Sequence, residues 1–181
     1  MHRAVPKILL LPLLLLISAF ITSDNEKFPV PDDVKDLVFY VQRSLNKNTI
    51  VYRLNVDDNF ELNEKEPIAI YWINYAGKGD TEPLNYIQRK YAYGLTISLI
   101  DKEKKTFCFN FVSYKKQTLY LIKAPDKKYH AYSYFNNRLM MINRIYVHID
   151  GGSFWTPKVK YIEVSGKDPV KNEELVEKII I

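Results

Sequence analysis

Apolar and polar residues alternate with a period of two in at least six segments between Leu37 and Val164. In the run 107–111, for example, every second residue is phenylalanine. Alternation of this kind places apolar side chains on one face of a strand and polar side chains on the other. Short turns rich in Asn, Lys, Gly or Pro separate the runs. We therefore predict a mainly β protein of about nine strands in an antiparallel curled sheet, barrel-like, with a two-sheet sandwich as the second choice.

Two segments depart from this period and predict helices. Thr81 is a suitable cap for an inserted helix over Glu82–Tyr93, with a proline in its first turn and Gly94 at its end. Near the C-terminus, Asp168 precedes a proline in the same way, which predicts a short C-terminal helix over Val170–Ile180.

The N-terminal residues have a different composition from the rest of the chain. A basic start is followed by the apolar run 8–21, which predicts a signal peptide over residues 1–23; an uncleaved anchor is the alternative. An extended leader over 24–36 and a single antiparallel β domain over 37–181 complete the predicted organisation. We expect an exported protein, periplasmic or extracellular, with no permanent transmembrane anchor after cleavage.

The charge of the mature chain argues against a nucleic-acid partner. Cleavage after residue 23 removes Arg3 and Lys7 and no acid, so Lys+Arg falls from 26 to 24 against 21 Asp+Glu, and the net charge becomes +3. This excess is small and dispersed, whereas a nucleic-acid surface needs clustered basic residues. The single cysteine, Cys108, excludes a disulfide framework within the chain and a Cys-rich zinc site.

Few residues of the chain are suited to catalysis or metal binding. No Gly-x-Ser-x-Gly motif occurs, and Cys108 lies between two phenylalanines, where a cysteine is usually inert. His130 and His148 lie on different predicted strands without the spacing of metal ligands. The acidic stretch 57–66 has Leu62 where a calcium loop needs glycine, and phosphate-binding glycine motifs are absent. We predict no metal and no cofactor.

Tyrosine, histidine and arginine side chains share faces of two neighbouring predicted strands. If these faces meet, their rings supply contact area and their polar tips supply hydrogen bonds for a small molecule, a glycan or an envelope protein. An ordinary wet sheet face is the alternative. The residues of this predicted polar-aromatic patch are Arg144, Tyr146, His148, Asp150, His130, Tyr132 and Tyr134.

A second candidate cluster consists of two Gln-Arg pairs. Gln42 and Arg43 lie on the first predicted strand, and Gln88 and Arg89 lie on the inserted helix. Arginines in apolar surroundings need fixed acceptors, so the cluster predicts either structural pairing or an anion site. In addition, Trp155 follows two glycines in the loop after the longest strand. It either plugs one end of the sheet or serves as a binding tip.

Segments spread along the chain in order, from FPVP at 28–31 through YIQRKYAYG at 86–94 to GKDP at 166–169, resemble an uncharacterised family of exported proteins, domain of unknown function 4833. The resemblance implies no activity. We therefore keep two functional hypotheses: a non-enzymatic binding or envelope-associated domain, and a hydrolase or isomerase that uses His148 or His130 with neighbouring Tyr and Asp residues. The segments that carry the resemblance are FPVP at 28–31, FYVQR at 39–43, NTIVY at 48–52, YWI at 71–73, YIQRKYAYG at 86–94, FVSYKK at 111–116, GGSFW at 151–155, VKYIE at 159–163 and GKDP at 166–169.

Overall fold

The computed structural model describes residues 28–153 and 156–181. These residues form a curled half-barrel sheet of eleven strands, so the predicted mainly β fold is confirmed. Consecutive strands pair mostly as antiparallel neighbours, as short turns between alternating segments require. The strands are β1 (Leu37–Arg43), β2 (Asn46–Leu54), β3 (Ile68–Asn74), β4 (Asp80–Pro83), β5 (Leu95–Asp101), β6 (Thr106–Phe111), β7 (Tyr114–Lys123), β8 (Tyr129–Phe135), β9 (Arg138–Gly152), β10 (Pro157–Lys167) and β11 (Glu174–Ile180).

The long strand β9 connects the two arms of the sheet. One arm is β4-β3-β2-β1 and the other is β5-β6-β7-β8, and both end on β9. β8 pairs antiparallel with residues 138–142 of β9, whereas β1 pairs parallel with residues 144–147. β10 pairs with β9 over 141–152. Because a strand has only two edges, β8 and β1 follow one another along the edge that β10 leaves free. The sheet is therefore mixed rather than purely antiparallel.

The core lies where the two arms face each other. Phe39 of β1 stacks on Tyr52 of β2, with ring centroids 4.4 Å apart, and lies 6.1 Å from Phe109 of β6. All three side chains are fully buried. The Tyr52 hydroxyl donates a hydrogen bond of 2.8 Å to the Tyr93 carbonyl, so the buried phenol is satisfied. Aromatic pairs of this kind add about 0.5–1.5 kcal/mol each to the stabilisation from burial, and they hold the sheet in its curl.

The inserted helix is shorter than predicted. Residues 80–83 pair with β3 as strand β4 instead of forming the first turn. Helix α1 (Tyr86–Gln88) begins after Asn85, whose side chain forms a capping box with Gln88, and a π-helical turn over Arg89–Tyr93 completes the segment. Gly94 ends it, as predicted. A Cβ at Gly94 would lie 1.9 Å from the Arg89 carbonyl oxygen, so only glycine fits.

The predicted C-terminal helix is wrong, because residues 174–180 form strand β11. Asp168 does cap a turn: its Oδ1 accepts hydrogen bonds from the backbone of Val170 (2.9 Å) and Lys171 (3.0 Å). However, Asn172 then adopts a left-handed conformation with φ of 57°, which ends the turn. The following residues pair with β10 over seven consecutive residue pairs. Tertiary pairing thus overrides the local helix signal.

The predicted signal peptide and the first residues of the leader lie outside the described residues. From residue 28 onward the leader packs against the sheet: the Phe28 ring lies 5.5 Å from the Tyr146 ring, and Pro31 is fully buried. Within residues 28–153 and 156–181, no helix has the length and apolar character needed to cross a membrane.

Candidate functional site

The inner face of the curled sheet borders a cavity of about 660 Å³. Its walls are mostly aliphatic and aromatic. Val41 of β1 and Phe111 of β6 come from the two arms, and β9, β10 and the C-terminal residues complete the wall. Period-two alternation explains this, since every second residue of these strands faces inward. The aliphatic residues from the C-terminal half include Val147, Ile149, Ile162, Val164, Ile179 and Ile181.

Among the described residues, Arg43 is the one charged side chain in the lining of this cavity. It lies at the end of β1, and its Nη1 donates a hydrogen bond of 2.9 Å to the Tyr93 hydroxyl. The guanidinium also lies over the Trp72 ring, 5.3 Å from its centroid. Its Nε is buried and has no hydrogen-bond partner in the part of the chain that the structure describes. A buried donor without an acceptor is costly, so a ligand oxygen that reached this atom would remove an unsatisfied hydrogen-bond donor.

Tyr93 and Gln88 hold the surroundings of Arg43 in place. Burial raises the pKa of Tyr93, although the neighbouring Arg43 opposes this shift, so the phenol is neutral at neutral pH. Its hydroxyl is therefore an uncharged acceptor for Arg43 and does not neutralise the guanidinium. The indole Nε1 of Trp72 donates to Gln88 Oε1 at 3.2 Å. Arg43 and Gln88 of the predicted second cluster thus meet at Trp72, at the wall of the cavity.

The other two members of the second cluster lie elsewhere. Gln42 points to the opposite face of β1 from Arg43, as adjacent strand residues must. There its Nε2 donates to the Pro29 carbonyl at 2.8 Å, and its Oε1 accepts from Arg144 Nε at 2.8 Å. Arg89 is exposed on the π-helical turn.

The predicted polar-aromatic patch occupies the outer face of the sheet, and it consists of separate groups. Tyr146 lies beside Arg144 and the leader residue Phe28. His148 stacks on Tyr161 of β10, with parallel rings 4.6 Å apart. The Arg144 guanidinium also forms an ion pair with Glu163, with 3.5 Å between Nη1 and Oε1. Asp150 forms an ion pair with Lys160, with 4.0 Å between Oδ2 and Nζ. These contacts place the β9 half of the patch against β10 and the leader.

The β8 residues of the patch lie farther along the sheet. Tyr132 is opposite Met141, and Tyr134 is opposite Leu139. Leu139 and His148 are nine residues apart on one strand, which corresponds to about 30 Å. His130 forms a separate pair with Asp126, with 2.8 Å between Nε2 and Oδ2. The register of β8 on β9 thus places Tyr134 far from His148, whereas Tyr132, opposite Met141, is offset from Arg144 by three residues, about 10 Å.

Trp155 lies outside the described residues, so its role as plug or binding tip stays a prediction. Gly152, Ser153 and Pro157, which flank this position, line the cavity. Within the described part of the chain, no group of three or more His, Cys, Asp or Glu side chains is placed to hold a metal ion.

Several residues of the cavity were not identified by sequence reasoning. Tyr93, which accepts a hydrogen bond from Arg43, was identified only as the last residue of the predicted helix. The alternation of Ile145, Val147 and Ile149 on β9 was visible, but such a pattern describes a packed core and a cavity wall equally well. The inward residues of β11 were missed because this segment was assigned to a helix; the β-branched residues in its sequence were the available signal.

Comparison with known proteins identifies one family. The model of the family described as "Domain of unknown function (DUF4833)" matches residues 39–178. The matched region includes all eleven strands except the first two residues of β1 and the last two of β11. No curated protein and no solved structure matches the chain.

Proposed function

The chain belongs to the DUF4833 family, and on that premise we propose that it is an exported binding protein for an amphiphilic small molecule. The inner cavity holds the apolar chain of this ligand, and Arg43 binds its anionic oxygen head group. The observation that carries the proposal is the buried, unpartnered Nε of Arg43 in the lining of a largely apolar cavity.

The size and lining of the cavity support an apolar ligand. Its volume of about 660 Å³ lies in the usual range of roughly 300–1,000 Å³ for small-molecule sites. Such sites combine mainly apolar walls with a few placed polar groups. Each methylene group that moves from water to the cavity gains about 0.8 kcal/mol, so an alkyl chain of moderate length has enough binding energy without polar contacts along its length.

The state of Arg43 supports an anionic head group. Tyr93 occupies Nη1, which leaves the guanidinium edge that carries Nε. This edge forms paired hydrogen bonds with the two oxygens of a carboxylate. The cavity lining within the described residues contains no Asp or Glu to compensate the charge. A ligand carboxylate would therefore remove both an unsatisfied donor and an uncompensated charge.

Arg43→Met tests this proposal. Titration of the protein with a fatty acid and with the fatty alcohol of the same chain length separates head-group binding from chain binding. We expect the wild type to prefer the acid. Because a hydrogen bond to a charged group contributes about 1.5–3 kcal/mol, Arg43→Met should weaken binding of the acid by about 10–150-fold and leave the alcohol nearly unchanged.

Arg53→Met is the matched control, because Arg53 lies on β2 outside the cavity lining. It should bind both compounds like the wild type. Absence of binding of both compounds to the wild type, or an acid preference that survives in Arg43→Met, would contradict the proposal.

Export is the second part of the proposal. The apolar run after a basic start supports a cleaved signal peptide over residues 1–23. N-terminal sequencing of the protein from fractionated cells should give a chain that begins near Asp24 outside the cytoplasm. A cytosolic chain with intact Met1 would refute export without affecting the cavity proposal.

A further inference from the structure

Four exposed apolar or aromatic side chains lie next to the cavity. They are Leu45 in the β1–β2 turn and Tyr86, Ile87 and Tyr91 in the helical segment 86–93, and we call them the rim. Leu45, Tyr86 and Tyr91 are 79%, 71% and 61% exposed. Leu45, Ile87 and Tyr91 also line the cavity. The rim is therefore continuous with the proposed ligand site.

Leu45 and the helical segment are joined through Arg43. The Arg43 side chain hydrogen-bonds to Tyr93, the last residue of the π-helical turn, and Leu45 follows Arg43 by two residues. The turn and the helical segment thus approach each other from two different parts of the chain.

The rim carries positive charge, and the acids that precede it in sequence, Asp80 and Glu82, lie on β4 outside the helical segment. Lys90 lies over both the Tyr86 and the Tyr91 rings, with its Nζ 5.3 Å and 5.1 Å from their centroids. Hydrogen bonds that Lys90 donates to the Tyr86 and Tyr91 side chains raise its pKa, so it is charged at neutral pH. Lys47 and Arg89 are also exposed, and the segments 43–56 and 84–100 contain no Asp or Glu. Acidic residues are concentrated instead in the stretch 57–66.

The unfavourable backbone conformation of Leu45 indicates that its exposed side chain has a functional role. Leu45 has a φ of 69°, which is the left-handed conformation. Glycine and asparagine adopt this conformation at lower cost than leucine, and they are the usual residues in two-residue hairpin turns. Leucine at this position strains the backbone of the turn and also exposes an apolar side chain to water.

We propose that the rim docks onto the surface of a lipid bilayer that contains anionic lipids and sets the cavity against the bilayer. This inference rests on the proposed function, since an amphiphilic ligand would enter from, or leave to, such a surface. Tyrosine rings lie naturally at the head-group level, and lysine stems lie along apolar surface while their ammonium groups reach lipid phosphates. A basic residue near an anionic membrane contributes about fivefold in partitioning.

Flotation with phosphatidylcholine vesicles, with and without phosphatidylglycerol, tests the docking. Every variant is tested as the processed chain that begins near Asp24, because the N-terminal apolar run would itself bind vesicles. We expect binding to be stronger with phosphatidylglycerol, and Leu45→Asn and Tyr91→Ser to reduce it by tenfold or more. Lys90→Glu should cost about 25-fold on the anionic vesicles only, because it changes the charge by two.

Val176→Asn and Lys171→Glu are the controls, since both residues are exposed and lie outside the cavity lining. They should float like the wild type. Amide hydrogen exchange should also slow within residues 84–94 when anionic vesicles are added. Equal flotation of rim and control variants, or unchanged exchange in this segment, would overturn the inference. A concentration-dependent dimer lost in Leu45→Asn, without vesicle binding, would instead assign the rim to a second copy.

The two proposals fail separately. Fatty-acid binding is measured in solution and depends on Arg43, whereas vesicle binding depends on the rim. A wild-type protein that binds fatty acid but does not bind vesicles would refute only the docking. Vesicle binding at the rim by a protein that binds no fatty acid would refute the ligand and leave a membrane-associated protein.

Discussion

Gln42 connects three separate parts of the chain, and its removal should therefore be costly. Its side chain is 1% exposed. Its Nε2 donates to the Pro29 carbonyl at 2.8 Å and to Thr49 Oγ1 at 3.2 Å, and its Oε1 accepts from Arg144 Nε at 2.8 Å. Gln42→Leu nearly preserves the side-chain volume and removes all three hydrogen bonds.

The expected loss of stability comes from the former hydrogen-bond partners of Gln42, which remain without it. The Pro29 carbonyl and the Arg144 Nε lose short hydrogen bonds, and each buried polar group without a partner costs about 1–3 kcal/mol. Arg144 is 26% exposed and keeps Glu163 at 3.5 Å, so part of its cost is recovered. Burial of the leucine offsets about 1 kcal/mol more. We therefore expect Gln42→Leu to lower the free energy of unfolding by about 2–4 kcal/mol.

Urea denaturation measures this loss, and hydrogen exchange locates it. The Val34 amide, which donates to the Pro31 carbonyl in the leader, should exchange faster in Gln42→Leu than in the wild type. Thr49→Val is the matched control because it removes only the 3.2 Å bond, and it should cost about 1 kcal/mol. A loss below 1 kcal/mol in Gln42→Leu, with normal exchange near the leader, would refute the assigned role of Gln42.

Three further variants test individual features. Gly166→Ala would place its Cβ 2.1 Å from the Met141 carbonyl oxygen, so it should lose about 1–3 kcal/mol in urea denaturation; wild-type stability would contradict the close approach. Leu45→Asn should raise the free energy of unfolding by about 1 kcal/mol because it relieves the left-handed leucine, and a lower value would contradict this. Backbone hydrogen bonds from Lys171 and Val170, aided by Arg138, lower the pKa of Asp168 below 3.8. Its stabilisation is therefore present above pH 3.8 and is lost as the pH falls through the lowered value. The difference in unfolding free energy between wild type and Asp168→Asn should shrink in acid. A difference that does not change with pH would contradict stabilisation by the Asp168 charge.

The sheet was predictable because its signal is local. Alternation along each strand depends only on which residues face the core, and the turns between strands are marked by their own residues. Gly94 was recognisable as a helix end for the same reason. The predictions of a first helical turn at residues 82–83 and of a C-terminal helix were wrong, because residues 80–83 pair with β3 and residues 174–180 pair with β10. A cap signal describes how a turn begins, and it does not report the strand edge that is available to the next residues.

The candidate sites were predictable only in part. Arg43 and Gln88 of the predicted second cluster both contact Trp72, whereas Gln42 and Arg89 lie apart from them. The polar-aromatic residues do share the outer face of the sheet. How far apart they lie along that face depends on the register of β8 on β9, which no single strand encodes.

Alternation and turn residues determined by themselves that this chain is a β protein. These signals act between neighbouring residues, so they are present in the sequence before folding. Only the tertiary structure decided that β1 and β8 share one edge of β9, that the two arms curl over a cavity, and that Arg43 lines it, with a buried Nε that has no hydrogen-bond partner among the described residues. A cavity is what remains when distant strands fail to fill the space between them, and this depends on the sum of all their positions.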